Sequence, residues 1–233
     1  MDLGGAFSAA AALIFGMDGA FLSVVALSLG VTLSAVLIAA CIGLPLGALL
    51  ALSRFPGRNG VIVLVNALMG LPPVVAGLII FLLLSRSGPL GSLGLLFSPA
   101  AMVVAQTLLV LPIVIALTRQ VVEDLWAEYR EHLTSLGMTG WRAVPTLVWD
   151  GRFSLATALL AGFGRASAEV GAVLIVGGNI LGYTRTMTTT IALETSKGDL
   201  PLALGLGIVL LVLTVLINAA AYGASRIGSR MAG

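Results

Sequence analysis

The sequence predicts an all-α integral membrane protein with about five transmembrane helices and an N-terminal interfacial helix, and three observations carry that prediction. Of 233 residues, 59% are hydrophobic and 9% charged, against about 25% charged in a soluble domain. Mean hydropathy is +1.12. Ionisable residues leave long charge-free runs between Asp18 and Arg54, Arg58 and Arg86, Arg86 and Arg119, and Asp199 and Arg226. Each run exceeds the roughly 20 residues that cross about 30 Å of hydrocarbon as helix. A water-soluble globular enzyme is excluded, because its surface needs a charged shell that this composition lacks.

The elements follow in order. Residues 1–20 hold the apolar run Ala9 to Phe15 and no Lys or Arg, so they lack the charged start of a secretory signal and read as an interfacial segment or ordered tail. One transmembrane unit then covers 21–225, with spans at about 21–52, 61–84, 99–118, 153–176 and 201–223, and residues 226–233 form a cytoplasmic tail. Gly43-Leu44-Pro45-Leu46-Gly47, Gly70-Leu71-Pro72-Pro73 and Pro112 are expected to weaken or kink their helices. With the N-terminus outside, Arg54, Arg58, Arg119, Arg130, Arg142, Arg152, Arg226 and Arg230 fall inside, and Arg86, Arg185 and Lys197 outside. That excess of positive residues on one side favours this orientation in a cell membrane.

Residues 119–152 form the long polar segment on the inside. Val121, Val122, Leu125, Tyr129, Leu133 and Leu136 recur at three- and four-residue steps, with Glu123, Asp124, Glu128 and Glu131 mostly on the other side, which predicts an amphipathic helix, either a cytoplasmic lever or an interfacial helix resting on lipid headgroups. Gly137 stands where a left-handed cap would end it, and Thr139 is placed to cap a second short helix through Trp141 and Arg142.

Here the sequence resembles the membrane subunit of ATP-binding-cassette importers, whose inside loop carries a Glu-Ala-Ala, three residues, Gly pattern. Glu131-His132-Leu133-Thr134-Ser135-Leu136-Gly137 keeps the glutamate and glycine, with His132 and Leu133 replacing the alanines and Trp149-Asp150 replacing a later Leu-Pro. Further runs resemble tungstate-type permeases, closely similar to molybdate permeases. These are Phe55-Pro56-Gly57-Arg58, Gly70 to Pro73, Ser85 to Gly91, Glu169 to Asn179 and Thr188 to Asp199. The resemblance implies the type I importer permease fold and a homodimer with a tunnel for an oxyanion at its interface. It implies a dimeric ATPase subunit docked on the coupling helices at about 119–150, through Glu131, His132, Leu136, Gly137, Met138, Thr139 and Arg142, and a soluble oxyanion-binding protein outside.

Arg165 lies near mid-membrane in the fourth span and Glu169 follows one turn later on the same face, so the two charges pair. They either line or gate the tunnel, together with Asn179 and Thr188, or lock the helix to a neighbour as a structural ion pair. The outer segment Thr184 to Lys197 reads as a short hydroxyl-rich helix closed by Gly198, either receiving a binding protein, guiding a dianion with Arg185 and Lys197, or acting as a plain connection.

Other chemistries find no residues. The sequence contains no GxxxxGK[ST] loop, so ATP hydrolysis is expected on another polypeptide. His132 is the single histidine and Cys41 the single cysteine, which leaves no metal set, disulfide or hydrolytic triad, and no cofactor is expected. A net charge of +2 offers no excess for a nucleic-acid partner. Two alternatives stay open: molybdate or another oxyanion as the cargo, and an ion-coupled secondary transporter or channel in place of an ATP-driven importer.

Overall fold

The computed structural model describes residues 7, 8, 11, 12, 15, 16, 19–138 and 140–231, with the backbone alone at 221, 222 and 224–231. In chain order the helices are α1 (Gly19–Leu52), α2 (Arg58–Met69), α3 (Pro73–Leu84), α4 (Pro99–Ser135), α5 (Val144–Asp150), α6 (Arg152–Ser167), α7 (Gly171–Gly177), α8 (Met187–Lys197) and α9 (Leu200–Met231). Short 3-10 turns occupy Gly91–Leu93 and Gly140–Ala143, and no strand occurs among the described residues. The described positions before α1 are helical; the rest of the expected interfacial segment lies outside the described residues. The backbone of α9 stays helical into the expected tail, as far as Met231.

Three helices are long and apolar enough to cross a membrane by themselves: α1, α4, and α9 over Leu200–Ala220. Two more spans arise when α2 with α3, and α6 with α7, each count as one. The continuous spans expected at 61–84 and 153–176 are therefore corrected to pairs of helices bent by 102° and 61°.

The first break is proline chemistry. Gly70 and Leu71 donate to the carbonyls of Ala67 and Leu68 in a tight last turn, both at 3.1 Å. Pro72 and Pro73 have no N–H to continue the ladder, and Pro72 adopts an extended conformation before α3 restarts with Pro73 in its first turn. The second break has no proline. There Glu169 folds back onto the next helix, and its Oε1 accepts from the amide of Ala172 at 2.9 Å, occupying an N–H that helix geometry leaves open.

By contrast, the expected span at 99–118 and the amphipathic helix after it are one element. α4 runs 37 residues, about 55 Å, and neither Pro112 in α4 nor Pro45 in α1 ends its helix. Its start is set by Ser98, whose hydroxyl accepts from the amide of Ala101 at 3.3 Å, with Pro99 in the first turn.

In lipid the helices gain no hydrophobic drive from one another, so close packing of small residues must hold them. α1 meets α4 in this way: a Cβ added at Gly47 would lie 2.6 Å from the carbonyl oxygen of Ile115. Val31, Ile80, Met102, Leu109, Val173 and Val176 join α1, α3, α4 and α7 in the main core. Phe21, Met187 and Leu206 tie α1 to α8 and α9. Leu37, Leu64, Leu82 and Leu211 face outward, as lipid-facing side chains do.

Candidate functional site

The last turn of α6 carries Arg165 to the break that Glu169 makes. Arg165 Nη1 donates to Glu169 Oε2 at 2.8 Å. The same carboxylate takes the Ala172 amide on its other oxygen. The Glu169 side chain is 2% exposed, and burying a carboxylate this deeply is tolerated only where charge-assisted hydrogen bonds meet both oxygens. Arg165 keeps 28% of its side chain exposed, with no other hydrogen bond among the described residues. Its guanidinium therefore holds donors free at the bundle surface.

α8 reaches the same break. Thr188 donates its hydroxyl to the carbonyl of Glu169 at 2.8 Å. Thr186 and Thr189 close a capping box at the start of α8, and Met187 N donates to Ser28 Oγ in α1 at 2.7 Å. Beside these contacts lies a cavity of about 20 Å³, lined in part by Ser28, Thr32, Gln106, Ser167, Thr186 and Thr188, with room for about one water. Gln106 Nε2 donates to the carbonyl of Ala166 at 3.2 Å, and its buried Oε1 has no partner among the described residues.

Of the four residues expected to form a pathway, Arg165, Glu169 and Thr188 come together. Asn179 lies beyond the far end of α7 in a left-handed conformation, φ 50°, where its carbonyl accepts from Arg185 Nη2 at 3.4 Å. Ser28, Thr32, Gln106 and Ser167 were not anticipated. They are uncharged, so charge-free runs hide them; the signal was Gln106, the lone amide side chain of its span.

At the other end of α4 the chain turns through a helical elbow. Gly137 has φ 75°; its amide donates to Thr134 O at 3.0 Å, and Met138 N to Leu133 O at 2.9 Å. These are the paired bonds of a Schellman cap, and Met138 packs with Leu133 in a cluster formed around Ala48, Val122, Ala143 and Leu147. The elbow thus rests on the end of α1. Thr139 lies outside the described residues, so the cap expected from it does too; the short second helix is present as the turn Gly140–Ala143 leading into α5.

Glu131, His132, Gly137 and Arg142 are exposed, and Leu136 and Trp141 are strongly so. This corrects the apolar face read from the periodicity: Leu136 is the C-cap residue of α4, where the chain leaves the helical path, and Tyr129 is also exposed. Glu123, expected on the free polar side, pairs with Arg58 and with Arg119. Arg58 donates further to the carbonyls of Leu50 and Ala51 at 2.9 and 3.2 Å, so one guanidinium joins the end of α1 to α4. The hydroxyl of Tyr129 is held above its ordinary pKa, chiefly by the charge of Asp150 and then that of Glu128.

A helical membrane bundle with broken spans, a buried ion pair at one break and an exposed helical elbow outside its spans defines a transport component. The chain belongs to the family of binding-protein-dependent transport system inner membrane components, which matches residues 43–230. It is 41% identical over 202 residues to a probable anion ABC transporter permease protein of Haloferax volcanii, covering 84% of this chain and 87% of that protein. To the tungstate uptake system permease protein TupB of Peptoclostridium acidaminophilum it is 38% identical over 216 residues, 93% of this chain and 95% of that one. The sulfate transport system permease protein CysW of Synechocystis is 31% identical over 209 residues, 85% of this chain and 74% of that one.

Proposed function

We propose that this chain is the membrane-spanning subunit of an ATP-driven importer that moves a tetrahedral oxyanion, tungstate first, inward through a tunnel between two copies of itself. The observation that carries this reading is Arg165, which keeps part of its guanidinium at the bundle surface next to the buried Glu169. A charge at membrane depth costs about 2.5 to 3.5 kcal/mol on insertion scales, so lipid is a poor neighbour for it and a second copy enclosing a polar path is a good one. Arg165 attracts the dianion, while Glu169 keeps the site from becoming a permanent anion trap, as release demands weak binding. Thr188 braces the break, and Asn179 stands at the outer end of the path.

Tungstate is supported by the tungstate uptake relative, and sulfate relatives at lower identity support the wider oxyanion class; molybdate is the alternative cargo. In this reading 21–225 is the permease unit, multi-pass in the plasma membrane, with the N-terminus outside and the tail in the cytoplasm. Glu131, His132, Leu136, Gly137, Met138, Thr139 and Arg142 then lie where an ATPase subunit docks, and an oxyanion-binding protein delivers cargo from outside.

The test is uptake of tungstate into proteoliposomes holding the chain with the ATPase subunit and binding protein that co-purify with it. ATP-dependent uptake, competed by molybdate or sulfate to a measurable degree, is expected. Uptake by the chain alone without ATP would replace the importer with a secondary transporter or channel.

A further inference from the structure

Away from the Arg165 break, a groove of about 300 Å³ runs along the bundle between Leu44 of α1, Pro145, Val148 and Trp149 of α5, and Arg152, Leu155 and Leu159 of α6. All but one of these side chains are apolar or aromatic. Arg152 is the exception, and it is held in place: its guanidinium lies 4.5 Å from the centre of the Phe153 ring and 5.0 Å from that of Trp149, and Nη1 donates to the carbonyl of Trp149 at 2.8 Å. Among the described residues it has no acidic partner. The nearest carboxylate in sequence, Asp150, forms no ion pair with it, and its charge acts on Tyr129 of α4.

From these observations we infer that the groove binds an anionic phospholipid, with its phosphate on Arg152 and one acyl chain along the half-buried Val148 and Leu159. The dimensions suit an amphiphile. From Arg152 to Leu159 the groove climbs about 10 Å along α6, and Trp149 and Arg152 at its mouth are residue types favoured at a membrane interface. An arginine stacked on aromatic rings has lost its conformational freedom already and presents free N–H donors suited to a phosphate. The groove is also separate from the face assigned above to a second copy. At 100° per residue, Arg165 lies about 140° round α6 from Arg152, whereas Leu155 and Leu159 share the Arg152 stripe.

Trp149 supplies the probe. The full-length chain is reconstituted in phosphatidylcholine vesicles containing a fixed fraction of either brominated phosphatidylglycerol or brominated phosphatidylcholine, and tryptophan quenching is recorded. Stronger quenching by the anionic lipid is expected, equivalent to about a fivefold preference for one arginine near the surface. Trp149→Phe is expected to abolish the difference; Arg152→Gln to equalise the two lipids; Arg152→Lys to keep part of the preference. Equal quenching of the unaltered chain by both lipids overturns the site. So does a preference that survives Arg152→Gln, and so does an absence of Trp149-dependent quenching by either lipid, which means that protein covers the groove.

Discussion

The hydroxyl of Thr188 donates to the main-chain carbonyl of Glu169 at 2.8 Å, fastening the first turn of α8 to the residue that breaks the span between α6 and α7. The bond thereby ties the break to the segment that leads to α9. Thr188→Val keeps the shape and removes the donor, leaving a carbonyl unpaired at a cost of about 1 kcal/mol. Its expected result is a lower melting temperature in detergent and slower tungstate uptake at unchanged membrane level, with Thr188→Ser close to the unaltered protein. Equal uptake by the valine and serine variants would separate the bond from transport.

Glu169 serves two neighbours with one carboxylate. Glu169→Ala strips Arg165 of its partner and α7 of its first-turn acceptor, and breaking a buried pair in this way costs about 3 to 5 kcal/mol. Because Arg165 is partly exposed, the lower end is expected. Glu169→Gln keeps an acceptor for the Ala172 amide and loses the charge, so it is expected to fold better than the alanine variant while still transporting poorly. Arg165→Ala is expected to assemble and to lose uptake. Uptake at the unaltered rate by Arg165→Ala, at matched membrane levels, removes the gating role and leaves a structural brace.

Tyr129 gives a prediction outside the membrane. Asp150 first, then Glu128, repel its phenolate and raise its pKa above 10.0. The folded chain therefore retains a proton that the unfolded chain releases. Whatever stability rests on the neutral ring is complete below about pH 10 and lost as pH climbs through the raised midpoint. Asp150→Asn is expected to bring the Tyr129 midpoint down towards 10.0, followed by difference absorbance against a Tyr129→Phe control. An unchanged midpoint would show that Asp150 and Tyr129 do not face each other in solution.

How much of this was legible depends on the kind of residue that makes each feature. Charges mark the ends of spans because each is costly in lipid, so α1 and the membrane part of α9 fall where the gaps between charges lie. The break at Pro72 and Pro73 is local chemistry and can be seen in four letters. The break at Glu169 is made by a side chain returning to Ala172 and by Thr188 arriving from a later helix, and spacing alone gives no sign of either. Arg119 looked like the end of a span because it is charged, yet its head group reaches Glu123 at 2.5 Å and the helix continues. Gln106 stayed hidden because an amide costs too little to stand out from its apolar neighbours.

The elbow offers a clean test of coupling, because Gly137 closes the end of α4 at a position with open space around it. Gly137 holds φ 75°, and a Cβ added there would meet no atom within 4 Å. An alanine is therefore opposed by its own backbone alone, by about 1 to 2 kcal/mol in the left-handed region. That is comparable with the two bonds of the cap, so Gly137→Ala is expected to loosen the turn between α4 and α5 while leaving the bundle, whose packing lies elsewhere, intact. Asn tolerates this conformation better than Ala, so Gly137→Asn is expected to recover part of the loss. The measurements are melting temperature, ATPase activity of the assembled complex and uptake per ATP hydrolysed. An uncoupled complex in the alanine variant, hydrolysing ATP with less uptake, and partly restored in the asparagine variant, assigns force transmission to the elbow. Full uptake per ATP in Gly137→Ala would move that role to another part of the 119–150 segment.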